Sequence, residues 1–190
     1  MKHLHTVENQ EENFPRCHAP EEYMNADLIS LSVLSSEDIC PLATLFSDET
    51  VGQSYMVPDY ESRSQWEELA ARIVALSADD SRYVRGIRLG DGLIGLINDV
   101  GIEGGSLELG WSILPQRQGK GYGTKALSLA IEELFQKGFE EVWAGAFDSN
   151  LPSIRIMEKC GMRKMEKTEM IAYRGREHRC VYYVRYKEDT

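Results

Sequence analysis

The stretch Leu107–Gly123, LELGWSILPQRQGKGYG, predicts a β-strand that passes through a short turn into a glycine-rich loop. A helical pattern, Thr124–Lys137, follows directly, because its apolar residues recur in pairs four positions apart and form one buried stripe. Gly138 then ends the helix as its C′ residue. The glycines therefore stand where a helix must begin.

Gly119, Gly121 and Gly123 alternate with larger residues in this loop. The start of a helix carries unpaired backbone N–H groups and the positive end of the helix dipole. Glycines without a Cβ allow the chain to wrap closely around an anion. The segment Gln118–Thr124 is therefore predicted to cradle a phosphate or a pyrophosphate.

Two common nucleotide loops are excluded by spacing. A P-loop requires Ser or Thr after its Gly-Lys pair, whereas Gly119-Lys120 is followed by Gly121. The dinucleotide pattern G-x-G-x-x-G would begin at Gly119 and require glycine at the position of Thr124. The anion is thus not expected to be bound by either of these motifs.

The loop fits the pattern Q/R-x-x-G-x-G/A through Gln118, Gly121 and Gly123, and so resembles the acyl-CoA pyrophosphate loop of the GNAT family of N-acetyltransferases. Residues 150–162, NLPSIRIMEKCGM, are similar to the segment N-x-x-S-x-x-x-x-E-K-x-G-[FM] of the subgroup resembling the ribosomal-protein N-terminal (RimJ/RimL-like) acetyltransferases. The two motifs come in the family's order and at about its separation. The resemblance covers about Leu28–Lys187.

The resemblance implies an α/β fold of GNAT type: a mixed, mostly antiparallel central sheet with a parallel splayed pair of strands and helices on both faces. The length of 190 residues fits one ordinary domain. We assign residues 1–26 to an N-terminal extension and residues 27–190 to a single acetyltransferase domain. A strand–helix–strand crossover predicts that Glu141–Phe147 lies parallel to Ser106–Leu114.

Local patterns predict the other elements. Alternation indicates a first strand from Leu28 to Leu34 and a hairpin about Gly90-Asp91-Gly92. Caps indicate helices that begin after Ser35 and near Ser62 or Ser64. Three further predictions are an irregular connection from Asp48 to Ser62, a short helix from Ser153 to Cys160, and a final hairpin about Arg174-Gly175.

Composition limits the partners. With 21 basic and 31 acidic residues the formal charge is −10, which opposes binding to nucleic acid or to an anionic membrane. The polar N-terminus lacks the apolar core of a signal peptide and no apolar run approaches a bilayer-spanning length, so a cytoplasmic location is expected. The four scattered cysteines predict neither disulfides nor a metal site. A homodimer remains open.

The resemblance also implies that acetyl-CoA is the cosubstrate, with Lys120, Arg117 and Lys125 near its phosphates. Gly110 stands where the family bends the central strand, so the resemblance assigns the N–H groups of Trp111 and Ile113 as hydrogen-bond donors to the thioester carbonyl. Asn150 is expected to contact the pantetheine amides. The residues assigned to acetyl-CoA are Trp111, Ile113, Gln118, Gly119, Lys120, Gly121, Tyr122, Gly123, Thr124 and Asn150.

Acyl transfer to an amine requires a base, and Glu108 on the central strand is the best-placed carboxylate, with Glu103 second. An alternative to the role of Glu108 as base is equally open: it is only an outward-facing acid of the strand or part of an ion pair. Many family members use a tyrosine to donate to the leaving thiolate, but no tyrosine occurs here between Tyr122 and Tyr173. The resemblance to the subgroup implies that Ser153 takes this role, unless it only starts a helix.

The expected reaction is direct acetyl transfer to a primary amine in a ternary complex, most often a protein N-terminus in this subgroup. Cys160 is disfavoured as an acyl-carrying nucleophile, because a helix C-terminus does not lower a thiol pKa. Alternatives are a small amine (an amino acid, polyamine or aminoglycoside) as acceptor, or a non-catalytic acyl-CoA sensor. An acidic, aromatic acceptor wall, favouring a cationic acceptor, is predicted from Asp48, Glu49, Tyr55, Asp59, Tyr60 and Glu61.

Overall fold

A single sheet runs through the computed structural model, which describes residues 28–189. The strands of this described part are Ile29–Ser32 (β1), Val84–Leu89 (β2), Gly92–Glu103 (β3), Ser106–Ile113 (β4), Glu141–Phe147 (β5), Arg163–Tyr173 (β6) and Arg176–Tyr186 (β7). They lie in the order β1-β2-β3-β4-β5-β7-β6. Every neighbouring pair is antiparallel except β4 and β5, which are parallel as the crossover predicts.

The helices are Ile39–Phe46 (α1), Glu49–Gly52 (α2), Arg63–Ser77 (α3), Tyr122–Gln136 (α4) and Leu151–Lys159 (α5). Short 3-10 turns lie at Ser36–Asp38, Pro115–Arg117 and Lys187–Asp189. Helix α3 begins with a capping box, because the Ser62 hydroxyl accepts from Gln65 N at 3.3 Å and Gln65 Oε1 accepts from Ser62 N at 3.1 Å. Helix α4 ends before Gly138, whose φ of 99° suits the left-handed C′ position.

Helices cover both faces of the sheet, so the predicted fold class is confirmed. The apolar stripe of α4 packs with α5 against one face, in a core that includes Leu107, Leu109, Leu127, Leu134, Val142 and Met157. Helices α1 and α3 pack against the other face, and the core beneath them takes Val84 and Leu96 from strands β2 and β3. The alternation of β5 sends Val142 toward α4 and Trp143 to the opposite face.

Two segments differ from the sequence-based expectation. The connection after α1 was predicted to be irregular, but it contains α2, because the Asp48 carboxylate accepts from Thr50 N at 2.8 Å and Val51 N at 3.3 Å. Helix α5 begins at Leu151 rather than at Ser153, since Asn150 is its N-cap. The predicted extension, residues 1–26, lies outside the described residues.

The turn between β6 and β7 packs on α2 and the chain that follows it. The Tyr173 hydroxyl donates to Gly52 O at 2.7 Å and accepts from Val57 N at 3.3 Å. Arg174 forms ion pairs with Glu49 at 3.1 Å and Asp59 at 3.2 Å. These contacts join the C-terminal hairpin to the first third of the chain.

Replacing Tyr173 with Phe is expected to lower the free energy of unfolding by about 1–2 kcal/mol, because two partly buried backbone groups lose their partner. Urea unfolding measures the change. Tyr186→Phe, on a strand of the same hairpin, is the control for loss of a hydroxyl. A Tyr173→Phe protein as stable as wild type would show that these hydrogen bonds do not anchor the hairpin.

Candidate active site

Strands β4 and β5 form a cleft because they separate after a short paired region. Their pairing consists of Ser106–Glu108 against Glu141–Trp143 and does not continue toward Ile113 within the described chain. The first turns of α4 and α5 lie at the open end, and the cleft between them has a volume of about 710 Å³. A sheet split at its parallel pair, as predicted, thus provides a concave site large enough for a ligand.

The edge of β4 that faces the cleft carries unpaired donors. Leu114 N donates to Ile94 O at 2.9 Å, so the N–H groups that point toward β3 belong to every second residue before Leu114. The N–H groups of Trp111 and Ile113 therefore point to the side where β5 has moved away. The carbonyl of Ile113 accepts from Gln118 Nε2 at 2.9 Å, which leaves the donors of this edge in the cleft.

The glycine loop forms the floor beside this edge. Gly119 and Gly121 have φ values of 76° and 83°, which disfavour residues with side chains. Gly121 is the N-cap of α4, and no side chain among the described residues caps it. The first N–H groups of α4 consequently have no partner in their own helix and face the cleft with the positive end of the dipole.

Gly123 has a packing role. A side chain there would place its Cβ 2.8 Å from Ile156 Cδ1 and 3.5 Å from Ile113 Cδ1. With glycine there, α4, α5 and the end of β4 approach closely without displacing the Ile156 side chain. The third glycine of the loop therefore brings the two helix N-termini to one cleft.

Helix α5 forms the opposite wall. Asn150 Oδ1 accepts from Ser153 N at 3.2 Å, so its carbonyl side caps the helix and its amide nitrogen remains for a ligand. The Ser153 hydroxyl lines the cleft and makes no hydrogen bond to any residue between 28 and 189. Asn150, not Ser153, is thus the residue that starts the helix.

The cleft is cationic although the chain is acidic. Arg117, Arg155 and Lys159 line it, and none of its lining residues in the described chain is Asp or Glu. Two of the three cations expected near the phosphates, Lys120 and Lys125, do not line it. Sequence reasoning missed Arg155 and Lys159, although their i,i+4 spacing on α5 places them on one face.

The residues assigned to acetyl-CoA therefore converge, apart from Lys120, which is exposed beside the loop. The cleft is lined by Trp111, Ile113, Gln118, Gly119, Gly121, Tyr122, Gly123, Thr124, Asn150 and Ser153. Their roles stay predictions.

Glu108 lies next to the cleft but does not line it. It is half-buried on the sheet face opposite α4, paired with Trp143, and two residues before the cleft-lining Gly110 on the same face. Burial raises the pKa of Glu108, Lys167 opposes the rise, and Glu169 adds to it. Glu103, the second candidate base, is exposed at the β3–β4 turn, the opposite end of β4 from the glycine loop.

Tyr55 closes the cleft from the segment after α2. Its hydroxyl donates to Asn98 Oδ1 at 2.5 Å, and its ring lies over Gly110. Burial, followed by the charge of Asp99, raises the pKa of Tyr55, so it is a neutral donor at physiological pH.

The acidic wall predicted around Tyr55 does not form as a free charged surface. Glu49 and Asp59 pair with Arg174, and Asp48 caps α2. Tyr60 packs edge-on against Trp66 at 5.1 Å between ring centroids. Most of these side chains are therefore committed to the protein itself.

In residues 28–189 no group of three or more His, Cys, Asp and Glu side chains is arranged to hold a metal ion. None of the helices described is both long enough and apolar enough to cross a membrane.

A mixed seven-stranded sheet, split at its parallel pair beside a glycine loop at a helix N-terminus, defines the fold class, and sequence comparison identifies the family. The model described as "Acetyltransferase (GNAT) domain" matches residues 29–163. The chain therefore belongs to the GNAT acetyltransferase family. The uncharacterised N-acetyltransferase YnaD of Bacillus subtilis (strain 168) is 32% identical over 77 residues, 40% of this chain, and the match spans 45% of that relative, less than half its length.

Solved structures show the same fold. Spermidine N-acetyltransferase from Vibrio cholerae, in complex with CoA and spermine, has a TM-score of 0.73 at 20% identity, over 85% of this chain and 97% of that chain. Ribosomal-protein-S5-alanine acetyltransferase from Vibrio fischeri has a TM-score of 0.71 at 16% identity, over 85% and 94%. At such identities the likeness concerns the fold.

Replacing Glu108 with Gln is expected to stabilise the protein more near pH 7 than near pH 4, relative to wild type. The folded-state pKa of Glu108 is raised, so wild type loses stability as pH rises from the unfolded pKa through the folded one, and Gln has no such loss. Urea unfolding at both pH values measures the difference. Glu103→Gln, which removes the same charge at an exposed site, is the control. An equal effect of Glu108→Gln at both pH values would contradict the raised pKa.

Proposed function

We propose that this chain transfers an acetyl group from acetyl-CoA to a primary amine, by direct transfer in a ternary complex, and that the acceptor is a protein N-terminal amine. One observation carries the proposal: the free N–H edge of β4 and the uncapped N-terminus of α4 face each other across a cationic cleft. Membership of the GNAT family supports the reaction class. The subgroup motif in residues 150–162 supports the N-terminal acceptor.

The cleft fits the anionic cosubstrate. The first N–H groups of α4 and the left-handed glycines would hold the pyrophosphate, with Arg117, Arg155 and Lys159 supplying positive charge around it. The free Nδ2 of Asn150 is placed for a pantetheine amide. Acetyl-CoA, when bound, supplies the activated acyl group.

The backbone of Trp111 and Ile113 would pair with the acyl chain as the free edge of a strand pairs with a neighbouring strand. Their N–H groups are fixed by the β3–β4 ladder, so they need no rearrangement to donate to a carbonyl oxygen. Donors aimed in this way stabilise the negative charge that develops on the oxygen. The strand thus orients the acyl group and polarises it.

Glu108 would remove the proton that the attacking amine must lose. From Gly110 it is two residues along the strand, about 7 Å, so the proton would pass through water. Its raised pKa makes it a better proton acceptor than an ordinary exposed glutamate. As the C–N bond forms and the C–S bond breaks, the Ser153 hydroxyl would donate a hydrogen bond to the departing sulfur.

Cys160 does not favour a two-step reaction through an acyl-cysteine. Its thiol donates to Thr124 O at 3.4 Å, and burial, partly offset by Arg185, raises its pKa to about 11. A thiol in this state is a poor nucleophile at neutral pH.

A small amine is the second candidate acceptor, and a cation cage beside Glu108, described below, favours it. The non-catalytic sensor is the alternative from another functional class.

Acetyl-CoA is expected to raise the melting temperature by mass action, and Gly121→Asp to abolish most of the shift, because it places a negative charge at the N-terminus of α4. Gly138→Asp is the matched control: it adds the same charge at a left-handed glycine beyond the other end of α4. Differential scanning fluorimetry measures both. If Gly121→Asp keeps the full shift, the pyrophosphate assignment is wrong.

Glu108→Gln and Ser153→Ala are expected to lower turnover while leaving acetyl-CoA binding intact. The loss in Glu108→Gln should be greatest below the pKa of the acceptor amine and shrink as pH rises, whereas Ser153→Ala should give a modest loss that Ser149→Ala does not reproduce. Thiol release, measured across N-terminal peptides and small amines, reports turnover. Wild type that binds acetyl-CoA but never exceeds the uncatalysed rate would be a sensor.

A further inference from the structure

The sheet face that carries Glu108 also holds a lysine ammonium in an aromatic cage. Lys167 Nζ lies 4.5 Å from the ring centroid of Trp143 and 4.4 Å from that of Tyr182. The two ring centroids are 5.5 Å apart and the planes are tilted by 51°. Two electron-rich faces thus meet one positive charge, which is the geometry of a cation-binding site.

Carboxylates complete the cage. Glu169 Oε1 lies 3.0 Å from Lys167 Nζ, and its second oxygen accepts from the Tyr182 hydroxyl at 2.8 Å. The hydrogen bond fixes the Glu169 carboxylate against the ring. Glu108, on β4, is the register partner of the cage residue Trp143 and lies on the same face of the sheet. Burial raises the pKa of Glu108, and the charge of Lys167 opposes the rise. The cage therefore takes one residue from each of four strands: Glu108, Trp143, Glu169 and Tyr182.

The cage adjoins the acyl cleft. The ring of Tyr182 lies on Gly145, where an added Cβ would be 2.7 Å from Tyr182 Cε1, and Gly145 lines the cleft. Trp143 precedes Gly145 by two residues, and Glu108 precedes Gly110 by two. A cation in the cage is therefore about 7 Å from the cleft, the rise of two strand residues.

Lys167 lies in an irregular part of β6, and its side chain is partly exposed to solvent. The β6–β7 register shifts between Lys164 and Thr168, so extra β6 residues, Lys167 among them, bulge out of the ladder. Bulges of this kind redirect a side chain. The side chains of Lys167 and Glu169 are 38% and 48% exposed, so solvent reaches the cage and the lysine has room to leave.

We propose that the cage of Glu108, Trp143, Glu169 and Tyr182 is a subsite for a second ammonium group of the acceptor, and that Lys167 is its resident occupant, displaced by the acceptor. This inference rests on the proposed acetyl transfer. The ligand class is an amine that carries another ammonium group about two strand residues from its reacting nitrogen, as in a short diamine or a peptide with lysine beside its N-terminus. Lys167 makes the selection for a second ammonium group stricter, because a monoamine has no further ammonium group that could replace the Lys167 ammonium in the cage.

A structural brace is the competing role for Lys167. Exposed ion pairs contribute little to stability, and this pair is exposed, so stability alone gives a weak reason for aligning two rings and a carboxylate on one amine. The two roles differ in outcome. Removing a competitor strengthens binding of a cationic acceptor, whereas removing a brace weakens it or leaves it unchanged.

The test compares 1,4-diaminobutane with butylamine, which differ in the second amine. Lys167→Met keeps the length of the side chain without its charge, and it is expected to raise kcat/KM for the diamine about tenfold relative to that for butylamine. The ratio is the readout, because Lys167 also acts on the pKa of Glu108, which affects both amines alike. Glu169→Gln in the Lys167→Met protein should remove most of the gain. Lys164→Met, on the same strand and exposed, controls for the change of net charge.

A second pair of acceptors, two dipeptide amides, shows whether the subsite takes the ammonium group of a small amine or that of a peptide. Dipeptide amides Ser-Lys and Ser-norleucine have side chains of similar length, and only the first carries the charge. A Lys167→Met gain for the diamine, for Ser-Lys or for both supports the subsite and names its source. A gain for neither, or an equal gain for butylamine and Ser-norleucine, overturns it.

Calorimetry of 1,4-diaminobutane with the CoA-saturated Lys167→Met protein separates this inference from the proposed function. Turnover of amines without preferential binding of the diamine would overturn the subsite and leave acetyl transfer intact. Preferential binding of the diamine, lost in Glu169→Gln, with no turnover of any amine would overturn the proposed function and keep the cation site.

Discussion

The site depends on the interruption of one parallel ladder. Strands β4 and β5 keep three residue pairs and then part, so backbone donors that would ordinarily satisfy a neighbouring strand face open space. Several features near this point keep the edge of β4 open after β5 has separated from it. The β3–β4 ladder holds the donors in place, Gln118 satisfies the Ile113 carbonyl, and Gly123 lets α4 and α5 close on the gap from one face.

Charge is distributed against the overall composition. The chain has a formal charge of −10, yet the cleft is lined by cations and, within the described residues, by no carboxylate. The acids near the cleft have partners within the protein. Glu49 and Asp59 pair with Arg174, Asp48 caps α2, and Glu169 pairs with Lys167 on β6. Attraction of an anionic ligand is therefore local, arising from a few side chains and one helix N-terminus rather than from the field of the whole molecule.

Features governed by local rules could be predicted from the sequence. The glycine loop, the stripe of α4, its stop at Gly138 and the capping box of α3 follow from residues within one or two turns of each other, and the structure has all of them. One local error, the start of α5, arose because Asn150 and Ser153 are both good caps and the choice depends on backbone geometry. The other was α2, a single turn that Asp48 caps within the stretch predicted to be irregular.

Contacts between distant segments could not be predicted in this way. Tyr173 and Gly52 are 121 residues apart, and no pattern in either segment indicates the other. The same holds for Tyr55 with Asn98 and for the cage around Lys167, whose members come from four strands. The proposed base illustrates the limit: Glu108 could be selected by its strand position, but its half-buried surroundings depend on residues of β5, β6 and β7. Such surroundings emerge only when the sheet order is known.

The contact between the β6–β7 turn and α2 has a consequence for how this scaffold diversifies. Residues 49–59 and 173–174 lie far apart in the chain but form one surface at the mouth of the cleft. The Tyr173 hydroxyl and the Arg174 guanidinium hold the two segments together. An inherited or engineered change of one segment alone would leave Arg174 without its carboxylates or the carboxylates without their cation. A change at this surface is thus tolerated most easily when both segments change together, as a matched pair transplanted between homologues.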